Sequence, residues 1–283
     1  MVEANQIGPN NTLPLELQVV ESIPRRFSFG LELSTVEGLK VSTFWMHRNF
    51  MSGAERFRMD AEIAGIGGST GGTDSAIGFN FERPAVYGAD TSFFLHGKIS
   101  REDEPDYLVD QISFEAGLNR LITDGLTTQI GVGVLTAHEV TPSDTRDYTL
   151  LNLPLTATLD RRNTPTNATS GYYLNVELTP FYNTTNNLFG GRFFADARTY
   201  RSLGIGDKFT FAGHAQIGTL VGTTVENAPA DFLFYSGGGG TVRGQAYKTL
   251  GVNSFISAEE VRTGGQSFIA VSYTHLRAHE TRL

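Results

Sequence analysis

The residues whose types and spacing could do chemistry sit in one run: Phe234-Tyr235-Ser236-Gly237-Gly238-Gly239-Gly240-Thr241-Val242-Arg243-Gly244-Gln245. Consecutive glycines reach backbone conformations closed to residues with a Cβ, including φ > 0, at an entropic cost on ordering. Such a loop keeps one shape only if its surroundings hold it. The cation that follows, Arg243, presents five donors and stays charged at any working pH, so inside a protein it requires acidic or carbonyl partners. The competing reading is an exposed hairpin tip with its arginine in water. Phosphate binding is disfavoured, because no Gly-Lys-Ser/Thr and no G-x-G-x-x-G spacing is present. A hydrolase would need a Ser–His pair with an orienting Asn or Asp; its candidate bases are His96, His138 and His214, and no nucleophile elbow accompanies them.

Composition narrows the setting for this loop. With no cysteine among 283 residues, disulfides, thiol catalysis and thiolate metal sites are excluded. A net charge of -8 without a Lys/Arg cluster argues against nucleic acid. No apolar run is long enough for a transmembrane helix, and the polar start Met1-Val2-Glu3 is unlike a signal peptide. The chain holds 32 Gly, 20 Phe and 10 Tyr, and few helix signatures, which fits an all-β protein with many tight turns.

The elements that must position the loop are read from a two-residue rhythm that begins at Arg26. Phe27, Phe29, Leu31 and Leu33 share one face, against Ser28, Gly30, Glu32 and Ser34. Leu39, Val41 and Trp45 follow, with Phe44 and Met46 blurring the pattern, and then Phe57, Met59, Ala61 and Ile63. The rhythm recurs at 77–81, 91–100, 108–120, 126–137, 149–160, 171–182, 190–201 and 207–219, with short strands near 245–250 and 267–273, about thirteen in all. Segments 101–107 and 220–233 are expected to be long polar loops. Many strands reach the roughly 9–11 residues that a tilted strand needs to cross hydrocarbon, whereas strands of soluble proteins centre on about 5–6. The second face carries Gly, Ser, Asn and charged residues rather than another apolar layer. Both facts favour a membrane barrel over a soluble sandwich.

Three stretches resemble one family, the outer-membrane assembly factors typified by BamA and TamA. Thr241-Val242-Arg243-Gly244-Gln245 resembles the family's Val-Arg-Gly-aromatic motif in its long sixth extracellular loop, with Gln245 in the aromatic's place. Trp45-Met46-His47-Arg48-Asn49-Phe50-Met51-Ser52-Gly53 is similar to the turn after the second strand. Leu159-Asp160-Arg161-Arg162-Asn163 with Gly171-Tyr172 resembles the segment opening the C-terminal half, though Ala168 stands where Pro is usual. The glycine run Gly237, Gly238, Gly239, Gly240 before the motif looks more like the TamA branch.

The resemblance implies a sixteen-stranded transmembrane antiparallel barrel, here truncated to about thirteen strands over 25–272. Residues 1–24 would be the remnant of a last periplasmic POTRA domain and its linker. Residues 273–283, where the rhythm is expected to fail, read as a non-native tail, so His275 and His279 are not taken as a metal site. The implied function is assembly and insertion of outer-membrane proteins or autotransporters in the bacterial outer membrane, with no catalytic residue, metal or cofactor. Val242, Arg243, Gly244 and Gln245 would form a loop latch inside the barrel. The strand of Phe27, Phe29, Gly30 and Leu31 would border a weak lateral seam. Trp45, His47, Arg48, Asn49, Asp160, Arg162 and Gly171 are the family's turn residues. Implied partners are the lipid bilayer, nascent β-barrel or autotransporter substrates and an inner-membrane TamB-like protein. A passive channel and a barrel hydrolase remain as alternatives.

Overall fold

In the computed structural model the described residues are 2–3, 15–16, 20, 23–35, 37–69, 71–141, 144–203, 209–238, 240–242, 244–245, 248–256 and 259–277. The short strands β1 (Val2–Glu3) and β2 (Leu15–Glu16) pair with each other. One antiparallel sheet then forms the wall: β3 (Arg25–Ser34), β4 (Gly38–Arg48), β5 (Arg56–Ile66), β6 (Asp74–Arg83), β7 (Thr91–Glu104), β8 (Tyr107–Thr123), β9 (Leu126–Val140), β10 (Thr145–Asn152), β11 (Leu155–Asp160), β12 (Ser170–Asn183), β13 (Leu188–Leu203), β14 (Phe209–Val221) and β17 (Ser267–Arg277). A separate hairpin, β15 (Val252–Ile256) with β16 (Glu259–Thr263), lies between β14 and β17.

The sheet has thirteen segments, but β10 and β11 both pair with β9 and β12 and so share one place in it. The strand expected over 149–160 is interrupted at Leu153-Pro154, because a proline has no N–H to give the ladder. The Leu153 N–H instead donates to the Pro180 carbonyl (2.9 Å), and the Pro154 carbonyl accepts from Gly131 (2.9 Å). Every connection in the wall joins sequence neighbours, as an up-and-down barrel requires.

The alternation sorts the two faces as expected. The register aligns Phe27, Trp45, Met59, Phe79, Gly97, Phe114, Val134 and Leu151 across eight strands on the outer face. Apolar residues of this outer face stand well exposed; Ile77, Ile99 and Val132 are 59%, 61% and 59% accessible. A water-soluble protein rarely shows so continuous an apolar surface, while lipid tails accept it without cost. Phe44 and Met46, which blur the pattern, face inward. The Phe44 ring lies 4.1 Å from the Arg58 guanidinium, so the lumen uses it as a cation partner.

Three expectations need correction. The segment 101–107 is no long loop, since β7 and β8 are joined by Pro105-Asp106 alone and carry their acidic residues on a stiff hairpin tip. Among the described residues of 245–250 no strand forms, and Leu250 makes an isolated bridge. Strand pairing does not end near 273: β17 pairs with β14 as far as Arg277, and Tyr273 stacks on Phe211 on the outer face (6.3 Å). A strand already zipped to a neighbour continues while main-chain pairing lasts, and side-chain types alone do not stop it.

Gly117 faces inward where Phe94, almost fully buried, lies over it; a Cβ there would stand 2.2 Å from the Ile130 carbonyl oxygen and 2.6 Å from the Phe94 ring. Gly117→Ala is therefore expected to destabilise the barrel by about 1–3 kcal/mol. Gly191→Ala, whose nearest neighbour would be 3.7 Å away, should leave it nearly unchanged. The thermal midpoint of heat-modifiable electrophoretic migration reads the difference.

Candidate functional site

The 222–266 connection between β14 and β17 turns back into the barrel rather than standing in solvent. Two single 3-10 turns, Val225–Asn227 and Ala230–Phe232, begin it. The buried Ala230 N–H donates to Glu139 Oε2 on β9 at 2.8 Å. Phe232 meets Phe181 edge-on at 5.1 Å, and Phe234 stacks on both Phe194 (6.4 Å) and Phe268 (6.0 Å) with the Arg192 guanidinium 4.7 Å from its ring centre. Gly218 on β14 makes room, since a Cβ there would stand 2.3 Å from the Phe234 ring. The loop's Ala228, Ala230, Phe232, Leu233 and Phe234 thus share one core with Tyr107, Leu135, Leu150 and Leu220 of the wall. Burying aromatic surface inside a lumen is what holds this loop in.

Two-way backbone bridges carry the chain to the glycine run: Phe234 pairs with Gly265, and Ser236 with Leu250. Gly237 and Gly238 take φ of 112° and 87°, a region that glycine enters freely. The Gly237 N–H donates to Thr241 Oγ1 (2.9 Å), the Thr241 hydroxyl donates back to the Gly237 carbonyl (3.2 Å), and the Gly238 N–H closes the loop on the Gln245 carbonyl (3.0 Å). The run is a knot tied by Thr241, and not a free tip. Val242 is partly exposed and Gly244 has φ 89°. Arg243 and Gly239 lie outside the described residues.

Beside the knot lies a cavity of about 520 Å³, lined among others by Thr241, Gly240, Lys248, Asp231, Glu102 and Arg192. Asp231 lines this cavity and is open to it. Burial pushes its carboxyl above the usual value of 3.8, and Lys248, Lys98 and Arg192 offset that only in part, while Glu104 adds to it.

Two cations tie the loop to the β7–β8 hairpin. Lys248 Nζ donates to Tyr107 Oη (2.7 Å) and Glu104 Oε1 (3.0 Å), stands 3.7 Å from Glu102 Oε2, and lies 5.3 Å and 5.9 Å from the Tyr107 and Tyr235 ring centres. Arg262 donates to Asp106 Oδ2 at 2.7 Å and to the Thr249 carbonyl at 3.0 Å. Sequence reasoning missed both. The available signal was the acidic run Arg101-Glu102-Asp103-Glu104-Pro105-Asp106, read there only as a polar loop.

The structure keeps the other residues singled out by sequence apart from this loop. Phe27, Phe29, Gly30 and Leu31 lie on β3, which pairs with β4 alone and forms one edge of the sheet; β17 forms the other. Gly30 sits opposite Ser42, whose hydroxyl would be 2.7 Å from an added Cβ. The two turn motifs occupy the opposite end of the barrel. Trp45 packs edge-on to Phe57 (6.1 Å), His47 edge-on to Phe50 (5.8 Å), and the Arg48 N–H donates to the Pro24 carbonyl (2.7 Å). Asn49, at φ 62°, accepts the Ala54 N–H on Oδ1 (2.9 Å). The buried Glu55 carboxylate accepts the N–H groups of Met51 (3.2 Å) and Gly53 (2.8 Å). Asp160 accepts Arg162 Nε (2.9 Å) and Nη2 (2.7 Å), and Arg162 also donates to the Pro165 carbonyl (3.0 Å) and covers Tyr173 (4.9 Å). Gly171 takes φ 99° because a Cβ would stand 2.1 Å from the Arg161 carbonyl oxygen. These residues fix turns. His214 and His138 each bond an aspartate, Asp196 (3.0 Å) and Asp147 (2.7 Å), and His96 stacks near Phe94 (4.6 Å).

A carboxyl whose folded value is raised gives stability that is complete below its unfolded value and lost as pH rises through the folded one. Seating of the loop is thus expected to weaken as pH rises through the shifted Asp231 value, and Asp231→Asn to flatten that profile. Hydrogen exchange at Leu233 and Phe234 across pH, corrected for intrinsic rates, checks it.

With fold and loop in view, comparison with known proteins gives consistent results. Residues 60–278 match the Omp85 superfamily domain. No curated protein sequence matches. Among solved structures, the crystal structure of BamA from Haemophilus ducreyi lacking POTRA domains 1-3 superposes with a TM-score of 0.82 at 12% identity, covering 100% of this chain and 58% of that one. The chain spans a little over half of that structure's length, and at this identity the likeness is one of fold. The family model covers most of the chain, and so the chain belongs to the Omp85 superfamily, a β-barrel with the fold of BamA's barrel in the bacterial outer membrane.

Proposed function

We propose that this barrel assembles and inserts other outer-membrane proteins, autotransporters among them, by letting an incoming strand add to the edge at β3. The observation that carries the reading is membership of the Omp85 superfamily together with the barrel's likeness in fold to BamA. Each unpaired N–H or C=O at membrane depth costs several kcal/mol, so such an edge favours any strand that can hydrogen-bond to it. The outer residues of β3, Phe27, Phe29, Leu31 and Leu33, match a lipid-facing position on that edge. The seated loop counts against a passive channel, which would need an open lumen. The assembly role of the superfamily counts against a hydrolase.

The finer reading is a latch. Arg243, between Val242 and Gly244, would enter the lumen and pair with carboxylates, and the cavity beside Thr241 with its acidic Asp231 and Glu102 suits a guanidinium. The glycine run before Val242 favours the TamA-like branch and, with it, an inner-membrane TamB-like partner. Arg243→Glu in the full-length protein is expected to abolish most substrate assembly, since losing one partner of a buried pair costs about 3–5 kcal/mol, while the barrel stays folded by heat-modifiable migration. Assembly of a test autotransporter at the unsubstituted level would remove the latch. Large stable conductance in planar bilayers would favour the channel instead.

A further inference from the structure

Lys248 is held by more than its place in the loop requires. Its φ of 52° is a left-handed conformation unfavourable for a residue with a Cβ, and such strain persists only where surrounding contacts impose it. Those contacts are specific: the Tyr107 hydroxyl and Glu104 at hydrogen-bond distance, Glu102 at 3.7 Å, and the rings of Tyr107 and Tyr235 flanking the ammonium. Two carboxylates with two aromatic faces make a fitted ammonium site. Burial acts to lower the ammonium's pKa, but the Tyr107 and Glu104 interactions outweigh it and raise the value, so the cation stays charged.

Arg262 repeats the arrangement one residue before the far end of the β15–β16 hairpin. Its guanidinium grips Asp106 at the turn of the β7–β8 hairpin and, through the Thr249 carbonyl, the residue next to Lys248. The two cations thus stand on different arms of the loop and meet adjacent acidic residues of one rigid tip. Both pairs are about a quarter accessible or less on the cation side, 23% for Lys248 and 27% for Arg262, deep enough for screening by salt to be weak.

We infer that Lys248 and Arg262 form a clasp that holds the lumen loop shut against the β7–β8 tip, Glu102–Tyr107, and that the loop leaves the lumen only when both cations let go. The clasp is separate from the proposed Arg243 latch and rests on the loop's seating in the lumen described above. Its acceptors come from a hairpin more than 140 residues away in sequence, so it couples the loop to the loop-bearing end of β7 and β8 and not to β3. A substrate engaging that tip with its own cations would compete for the same carboxylates.

The absence of cysteine makes the test direct. Leu233, buried at 8% in the seated loop, is replaced by cysteine, and its reaction with a maleimide is timed in the full chain reconstituted in lipid vesicles. Lys248→Met or Arg262→Ala should speed labelling about tenfold, the equivalent of roughly 1.4 kcal/mol of lost closure. The swapped pair Asp106→Arg with Arg262→Asp should restore slow labelling, and guards against a single variant that merely misfolds. Labelling unchanged in both single variants, or a swap no slower than Arg262→Asp alone, overturns the clasp. Faster labelling with undiminished substrate assembly would leave the clasp standing and remove its link to the assembly reading.

Discussion

Main-chain hydrogen bonding in the absence of water is the constraint on which this molecule depends. Hydrocarbon offers no partner for an N–H or C=O, so a chain that enters it must pair each strand with its neighbour. The wall obeys from β4 to β14: β8 and β9 pair over almost their whole length, and even the break at Pro154 is bridged through the Leu153 N–H and the Pro154 carbonyl. Only β3 and β17 present an unpaired side within the described sheet. An exposed edge is a liability in most proteins, and in the function proposed above it is where a substrate strand would add.

The same constraint makes the lumen polar and thereby selects what fills it. Since oily residues are drawn outward, the inner face is left with Glu102, Glu104, Glu139, Arg192 and Asp196, spaced around a confined volume. Such a surface is incomplete unless polar and aromatic groups are brought to it. The loop brings them. The Ala230 N–H, Lys248 and Arg262 each meet a carboxylate of the wall or its hairpin tip, and Phe232 and Phe234 fill the space between. Glycine's part is permissive on both sides, at Gly218 under Phe234 and at Gly237 and Gly238 in the knot.

Most of the wall was legible from the sequence because a strand between lipid and lumen writes its environment at alternate positions. Phe27, Phe29, Leu31 and Leu33 were read correctly as one face, and so were Phe57, Met59, Ala61 and Ile63. Reading failed where pairing overrode side-chain type. Arg101 to Asp106 looked like a loop because it is charged, yet β7 and β8 keep their ladder to Glu104 and Tyr107. The strand expected to end near 273 runs on to Arg277, because β14 supplies a ready partner strand. In the loop the motif drew attention to Arg243, while Lys248 and Arg262, with no motif around them, hold the described contacts.

By itself the sequence determined the strand period, the outward and inward faces, the order of the turns and the placing of a glycine-rich, cation-bearing loop near the C-terminal end of the wall. These follow from local chemistry: alternation for the faces, glycine and proline for the breaks. Only the tertiary structure decided that the loop turns inward and that its lysine and arginine meet Glu104, Tyr107 and Asp106. That pairing joins residues more than 140 positions apart, and their distance is set by how far the sheet curls between β7 and β14. Curl is a sum of small twists over all the strands between, and no single residue carries it.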